Sequence, residues 1–143
     1  MQMFHLAGFP PYYTNSFLLI TEAGNAVIID PSCEPVEYNR ILGEHGAKLT
    51  HILLTHGHFD HVGAVRELAE KTGCKVYLHA ADLTLPEKLT AGPLYCTDHY
   101  DDGDVLHMAG LTIRVMHTPG HTAGSVCLIV DDTIFSGDTL FCG

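Results

Sequence analysis

The sequence predicts an α/β layered domain with a mixed sheet and helices outside it. Three observations carry that expectation. Apolar runs of strand length recur along the chain, two stretches between them have helical spacing, and Gly, Pro, Asn or Asp punctuates most junctions. With 143 residues, 46% of them hydrophobic and 17% charged, the chain is long enough for one globular domain, residues 1–143, with a real core.

The elements follow in order. Gln2–Gly8, Ser16–Thr21 and Ala26–Asp30 read as short strands, separated by the turn formers Pro10-Pro11 and Ala23-Gly24-Asn25. Pro35–His45 reads as a helix, with Ser32 as its expected cap and Gly46 as its stop. The β-rich run His51–Leu54 flows into a histidine cluster. Val62–Lys71 places Val62, Val65, Leu68 and Ala69 on one helical face with charges opposite, and Gly73 ends it. Lys75–His79 is a further strand. Residues 80–103, rich in Asp, Thr, Pro and Gly, read as a loop with at most one short helix. Strands are then expected at Asp104–Met108, Leu111–His117, Ser125–Val130 and Thr133–Phe135. The turn-like dipeptides Ala109-Gly110 and Asp131-Asp132 join them in pairs.

Bulk properties narrow the function. The net charge is −10, from 7 basic and 17 acidic residues, so nucleic acid and anionic membrane are poor partners. The longest apolar runs, such as Phe17–Ile20 and Val126–Val130, are too short to span a bilayer. The N-terminus shows no charged region followed by an apolar one, as a secretory signal would. Cys33, Cys74, Cys96, Cys127 and Cys142 are odd in number and never form CxxC, which favours reduced thiols in a cytoplasmic protein over a disulfide framework.

The outlier is histidine, with 11 in the chain. His56-Gly57-His58-Phe59-Asp60-His61 packs three of them and an aspartate into six residues between a strand and a helix start. Neutral imidazole and carboxylate are the usual ligands for zinc and comparable divalent ions. His56 and His58 can project toward one ion from an extended turn, with Gly57 permitting close approach. Asp60 and His61 are offset enough to face a second. A histidine-rich surface turn is the bland alternative, and the placement at a strand end argues against it. Two later stretches can complete such a site. In 117-HTPGHTAGS-125 the Pro119-Gly120 turn presents His121, and in 133-TIFSGDTLF-141 Gly137-Asp138 follows a short apolar strand.

Together, His56-x-His58-x-Asp60-His61, His121 in a TPGHTxGS setting and Asp138 in a SGDTLF setting resemble the metallo-β-lactamase superfamily, most of all its small glyoxalase II-like hydrolases. The match runs from Asn15-Ser16-Phe17-Leu18-Leu19 through Ile29-Asp30-Pro31 to the last residue. The resemblance implies an αββα sandwich with the site at one edge of two packed sheets. It also implies roles: His56, His58 and His121 on one metal, Asp60 and His61 on a second, and Asp138 bridging both. The family pattern continues to a final histidine, whereas this sequence stops at Gly143, so the second half of the fold is expected to be incomplete and the sequence is read as a fragment.

The activity so implied is metal-dependent hydrolysis, with Zn2+ in two sites and Fe or Mn as other possible ions. A metal-activated water attacks a thioester of the S-acylglutathione type as hydroxide, with Asp60 or Asp138 handling the proton. Three readings compete. His56, His121 and Asp138 are also a two-histidine, one-carboxylate set, as in a mononuclear-iron persulfide dioxygenase. A lactonase, or a metal-binding fragment without catalysis, are the others. β-Lactam hydrolysis is disfavoured by the missing signal and nuclease activity by the acidic balance. The partner expected is a small molecule, and no oligomeric state is implied.

Other residues carry less. His51 lies in the strand before the cluster, and His5, His45, His79, His99 and His107 have no partner spacing. His117 precedes His121, but Pro119-Gly120 between them forbids a shared helix face. Asp30 matches a family position near the site and is expected to orient a ligand. Tyr12 and Asn15 read as structural, and Cys142 as a bystander.

Overall fold

A computed structural model of the chain describes residues 2–7, 15–55, 64–79, 96–118 and 125–135. The element order is β1 (Gln2–Ala7), β2 (Asn15–Ile20), β3 (Asn25–Ile29), α1 (Pro35–His45), β4 (Lys48–Leu53), α2 (Val65–Thr72), β5 (Lys75–Leu78), β6 (Asp98–His99), β7 (Val105–Met108), β8 (Leu111–His117), β9 (Val126–Val130) and β10 (Thr133–Phe135). Strands β1 to β6 form one sheet in sequence order, and the remaining four form a second in the order β10-β9-β8-β7.

The first sheet is mixed. Strands β1, β2 and β3 are antiparallel, whereas β3, β4, β5 and β6 run parallel. Helices α1 and α2 make the crossovers that parallel pairing requires. The second sheet is antiparallel throughout. The central strands of the first sheet are buried on both faces, and alternate residues serve different cores. Leu18, Ile28 and Ile52 pack with Tyr38, Ile41 and Leu42 of α1 and with Val65, Leu68 and Ala69 of α2. Leu19, Val27, Ile29 and Leu53 face the other way, against Ile113, Val115, Leu128 and Val130 of the second sheet. The described residues therefore form helix, sheet and sheet layers of an α/β fold, three of the four layers that the αββα expectation holds.

Several expectations shift. The first helix spans Pro35–His45 as expected, but its N-cap is Glu34, which makes no side-chain cap bond, and not Ser32. Proline explains this: its fixed φ suits the first helical position, and it holds the preceding residue extended, as Glu34 is at φ −65° and ψ 145°. The stops Gly46 and Gly73 are left-handed, as their positions predict. The second helix spans Val65–Thr72, and the expected Val62 lies outside the described residues. Strand β4 begins at Lys48, not His51, because pairing with β3 starts at Asn25 opposite Lys48. Within 80–103, residues 96–103 contain the strand β6, and 80–95 lie outside the described residues. The dipeptide Ala109-Gly110 has φ of 51° and 79°, the doubly positive pattern that closes a two-residue hairpin.

Candidate metal centre

The six motif residues, His56, His58, Asp60, His61, His121 and Asp138, lie outside the described residues, as do Tyr12 and Cys142. The structure instead describes the chain on both sides of 56–63 and of 119–124 and the chain up to Phe135 before Asp138, and these flanks converge. Asp30, at the end of β3, is almost fully buried. Its φ is 51°, a left-handed conformation that aspartate tolerates better than most residues. The carboxylate accepts from both donors of Thr55, the backbone N–H at 2.8 Å and the hydroxyl at 2.6 Å. A buried carboxylate needs such partners, and charge-assisted bonds of this kind are the strong ones. The expectation for Asp30 takes concrete form here: it grips the residue immediately before His56.

Thr55 is also where the two sheets meet. Its carbonyl accepts the N–H of Val126, the first residue of β9, at 2.8 Å. Just before it, Leu54 donates its N–H to the Tyr77 carbonyl at 3.0 Å and accepts the Tyr100 hydroxyl. On the far side of the histidine cluster, Ala64 donates its N–H to the Pro31 carbonyl at 3.0 Å. Thr55 and Ala64, the residues that bracket 56–63, are thus both tied to the end of β3.

The segment that carries His121 is treated likewise. Thr118 donates its N–H to the Ser125 carbonyl at 2.8 Å, pairing the two residues that bracket 119–124. His117, the last residue of β8, pairs with Val126. Phe135 pairs with Leu128, so β10 runs toward this same end of the sheet and delivers the chain to Gly137-Asp138. A hydroxyl network stiffens the floor: Ser16 and Tyr38 share a 2.6 Å bond, and Tyr38 Oη accepts the Cys33 N–H at 3.1 Å. Burial pushes the Tyr38 phenol well above its usual range, with the Ser16 bond opposing, so Tyr38 stays neutral. The flanks of 56–63 lie at the carboxyl ends of the parallel strands, where α/β sheets build their sites, and the Val126–Thr55 bond brings the second sheet's flanks to the same end.

The donor set that these flanks deliver is imidazole and carboxylate throughout, which fits a divalent transition ion. A scan over family models matches residues 9–143 to the metallo-β-lactamase superfamily. The chain belongs to that superfamily. It is 37% identical to the probable metallo-hydrolase YqgX of Bacillus subtilis over 93% of the chain and 69% of YqgX. It is 34% identical to a hydroxyacylglutathione hydrolase of Salmonella paratyphi A over 97% of the chain, but spans only 52% of that enzyme. Among solved structures it superposes on the BLEG-1 B3 metallo-β-lactamase with a TM-score of 0.84, 32% identity and coverage of 99% of this chain and 74% of that one. TTHA1623 in a di-iron-bound form gives 0.77 at 35% identity, covering 98% and 74%. No helix among the described residues is long and apolar enough to cross a membrane.

One grouping escaped the sequence. His79, Asp101 and His117, to which no pair spacing draws attention, bring a donor atom each to within 4.8 Å of one another. His79 Nε2 lies 3.0 Å from Asp101 Oδ1, and the two imidazoles stack with centroids 4.2 Å apart. Each residue follows or ends a strand at the motif edge, and that shared position was the available signal. The Nδ1 of His51 lies 2.8 Å from the Thr50 hydroxyl, and its ring leans toward Tyr77. Asn15 is tied to His5 at 2.6 Å across β1 and β2, in keeping with a structural role.

Proposed function

We propose that residues 1–143 act as a metal-dependent hydrolase domain whose substrate is a thioester of the S-acylglutathione type. The observation that carries the reading is the Asp30–Thr55 clamp, which ties the residue before His56 to the end of β3 while Val126 ties it to the second sheet. A site that positions a reacting atom needs such rigid footing for its ligands. His56, His58 and His121 are the proposed ligands of one ion, Asp60 and His61 those of a second, and Asp138 the bridge between them. Zn2+ is the expected ion, with Fe or Mn as alternatives.

Bound metal supplies Lewis acidity and lowers the pKa of a coordinated water toward neutrality. The chain's own contribution is to orient and to move protons. Asp60 or Asp138 accepts the proton of the attacking water and can return it. The leaving thiolate needs no strong general acid, so a site of histidines and carboxylates suffices. The substrate class is supported by the likeness to hydroxyacylglutathione hydrolase. The thiols fit a reducing, cytoplasmic setting: Cys33, Cys74, Cys96 and Cys127 are all free.

The test is a panel assay on metal-loaded protein with S-lactoylglutathione, a set of lactones and a chromogenic cephalosporin, alongside metal analysis. Thioester turnover that falls with His58→Ala, together with bound zinc, is the expected result. Metal-loaded protein that leaves every thioester intact would sink the proposal. The di-iron form of TTHA1623 keeps a second reading in view. Bound iron with oxygen consumption on glutathione persulfide would favour the dioxygenase over the hydrolase.

A further inference from the structure

His79, Asp101 and His117 share no residue with the motif ligands, yet they have the makings of a site. They come from three separate segments: the residue after β5, the turn after β6 and the last residue of β8. Parallel pairing of β4, β5 and β6 sets the first two at one edge, and the β8–β9 pairing sets the third beside them. We propose that these three side chains bind a divalent first-row transition ion of the zinc class.

The donor chemistry fits. Two imidazoles and one carboxylate form a recurrent set for such ions, and three protein donors leave a position for water. Ligand atoms around a tetrahedral ion lie about 3.4 Å apart when its bonds are about 2.1 Å long. The three donor atoms already lie within 4.8 Å of one another, and one pair stands at 3.0 Å. Small side-chain movements close the remainder. The His79 side chain is only 12% exposed and serves as the fixed wall, whereas that of Asp101 is 76% exposed and can swing. The stacked rings stand 14° from parallel and present their nitrogens side by side. Ligation must therefore tilt one ring out of the stack.

The backbone beneath the cluster is built for position. Asp102 Oδ1 accepts the His117 N–H at 2.8 Å, and Asp102 donates its own N–H to Asp101 Oδ1 at 2.7 Å, so one residue holds both donors in register. The Asp101–Asp104 turn is locked to β8 through Gly103 N–H to the Val115 carbonyl at 2.8 Å and Val115 N–H to the Asp104 carbonyl at 2.9 Å. The Asp102 N–H and the His79 ring also hold the Asp101 carboxyl below its usual range, which keeps it ionised as a ligand must be. Asp101, Asp102 and Asp104 add local negative charge to a chain of net charge −10, a field that concentrates dications.

The deciding measurement is anomalous scattering at the zinc edge from crystals of the whole chain grown with zinc. A peak bonded to His79, Asp101 and His117 is expected. Zinc content after dialysis should then be one equivalent lower in Asp101→Asn than in the unaltered chain, with an unchanged melting temperature because that side chain is exposed. A second variant, His117→Gln, should lose the same equivalent. No peak at the three side chains in saturating zinc, with equal zinc content in the unaltered chain and Asp101→Asn, would overturn the site. That result would leave the motif ligands untouched, because Asp101→Asn alters none of them.

Discussion

The two edges of the sandwich are built by opposite rules. At one edge the connections are minimal. Thr21–Asn25 closes β2 onto β3, Ala109-Gly110 closes β7 onto β8, and Asp131-Asp132 closes β9 onto β10. The first and second sheets' turns lie together there, with Glu22 and Asn25 lining a groove alongside Gly110 and Asp131. At the other edge the ends of β4, β8 and β10 lead to motif segments, and those of β5, β6 and β8 carry or lead to a residue of the histidine–aspartate cluster. Backbone conformation secures the first edge: positive φ at Gly24, Ala109, Gly110 and Asp131. Side-chain bonds between elements distant in sequence secure the second, above all Asp30 to Thr55. Turn geometry is a local property, whereas a site edge has to be held by tertiary contacts.

That contrast can be broken most forcefully at Asp30. Asp30→Ala removes the acceptor for two buried Thr55 donors and places alanine at a left-handed φ. A loss of about 3 kcal/mol in denaturant unfolding is expected, since each unsatisfied buried donor costs about 1–3 kcal/mol. Metal affinity should fall about tenfold at the same time, the low end of what outer-shell changes produce. Loss of stability with unaltered metal affinity would show that the clamp serves the fold alone. Thr55→Val is the gentler version. It keeps the shape, removes only the hydroxyl with its bond to Asp30, and should cost about 2 kcal/mol, as loss of a bond to a charged group does.

The opposite edge should answer differently. Gly110 has φ +79° and open space where a Cβ would sit, so Gly110→Ala is strained by conformation alone. A loss of about 1 kcal/mol is expected, with metal affinity unchanged. A fall in metal binding here would erase the distinction between the edges.

The same difference explains what could be read from the sequence. Gly46, Gly73 and Gly110 were legible because glycine takes the positive φ that the turn demands. The central strands were legible because Leu18–Leu19–Ile20 and Val27–Ile28–Ile29 are apolar without interruption, as burial on both faces requires. Strand β6 was not. Asp98-His99 is two polar residues whose extended form comes only from pairing with Tyr77 and Leu78. The proposed metal ligands stand out as chemistry, through donor type and spacing. Their footing was half legible: Asp30 stood out at a strand end, but nothing local marks Thr55 as its partner 25 residues on. His79, Asp101 and His117 stayed hidden for the same reason, because sheet order rather than sequence distance brings them together.

The smallest expected effect tests whether proximity to the site edge matters outside it. His51 sits in β4, half-buried, short of the Thr55 clamp. Burial holds its imidazole below the usual value, Lys75 adds to the effect, and Asp98 opposes it. The neutral form is therefore the one the fold prefers. Its contribution to stability is fully present above the unfolded-state pKa of about 6.5 and is lost as pH falls through the lower folded-state value. The unaltered chain should lose more stability between pH 7.5 and pH 5 than His51→Gln, which has no proton to take up. Other titrating groups cancel in that difference of differences, because both proteins share them. If the two chains lost stability equally, His51 would be exchanging its proton as freely as in the unfolded state, and the half-buried setting beside Tyr77 and Lys75 would carry no electrostatic consequence.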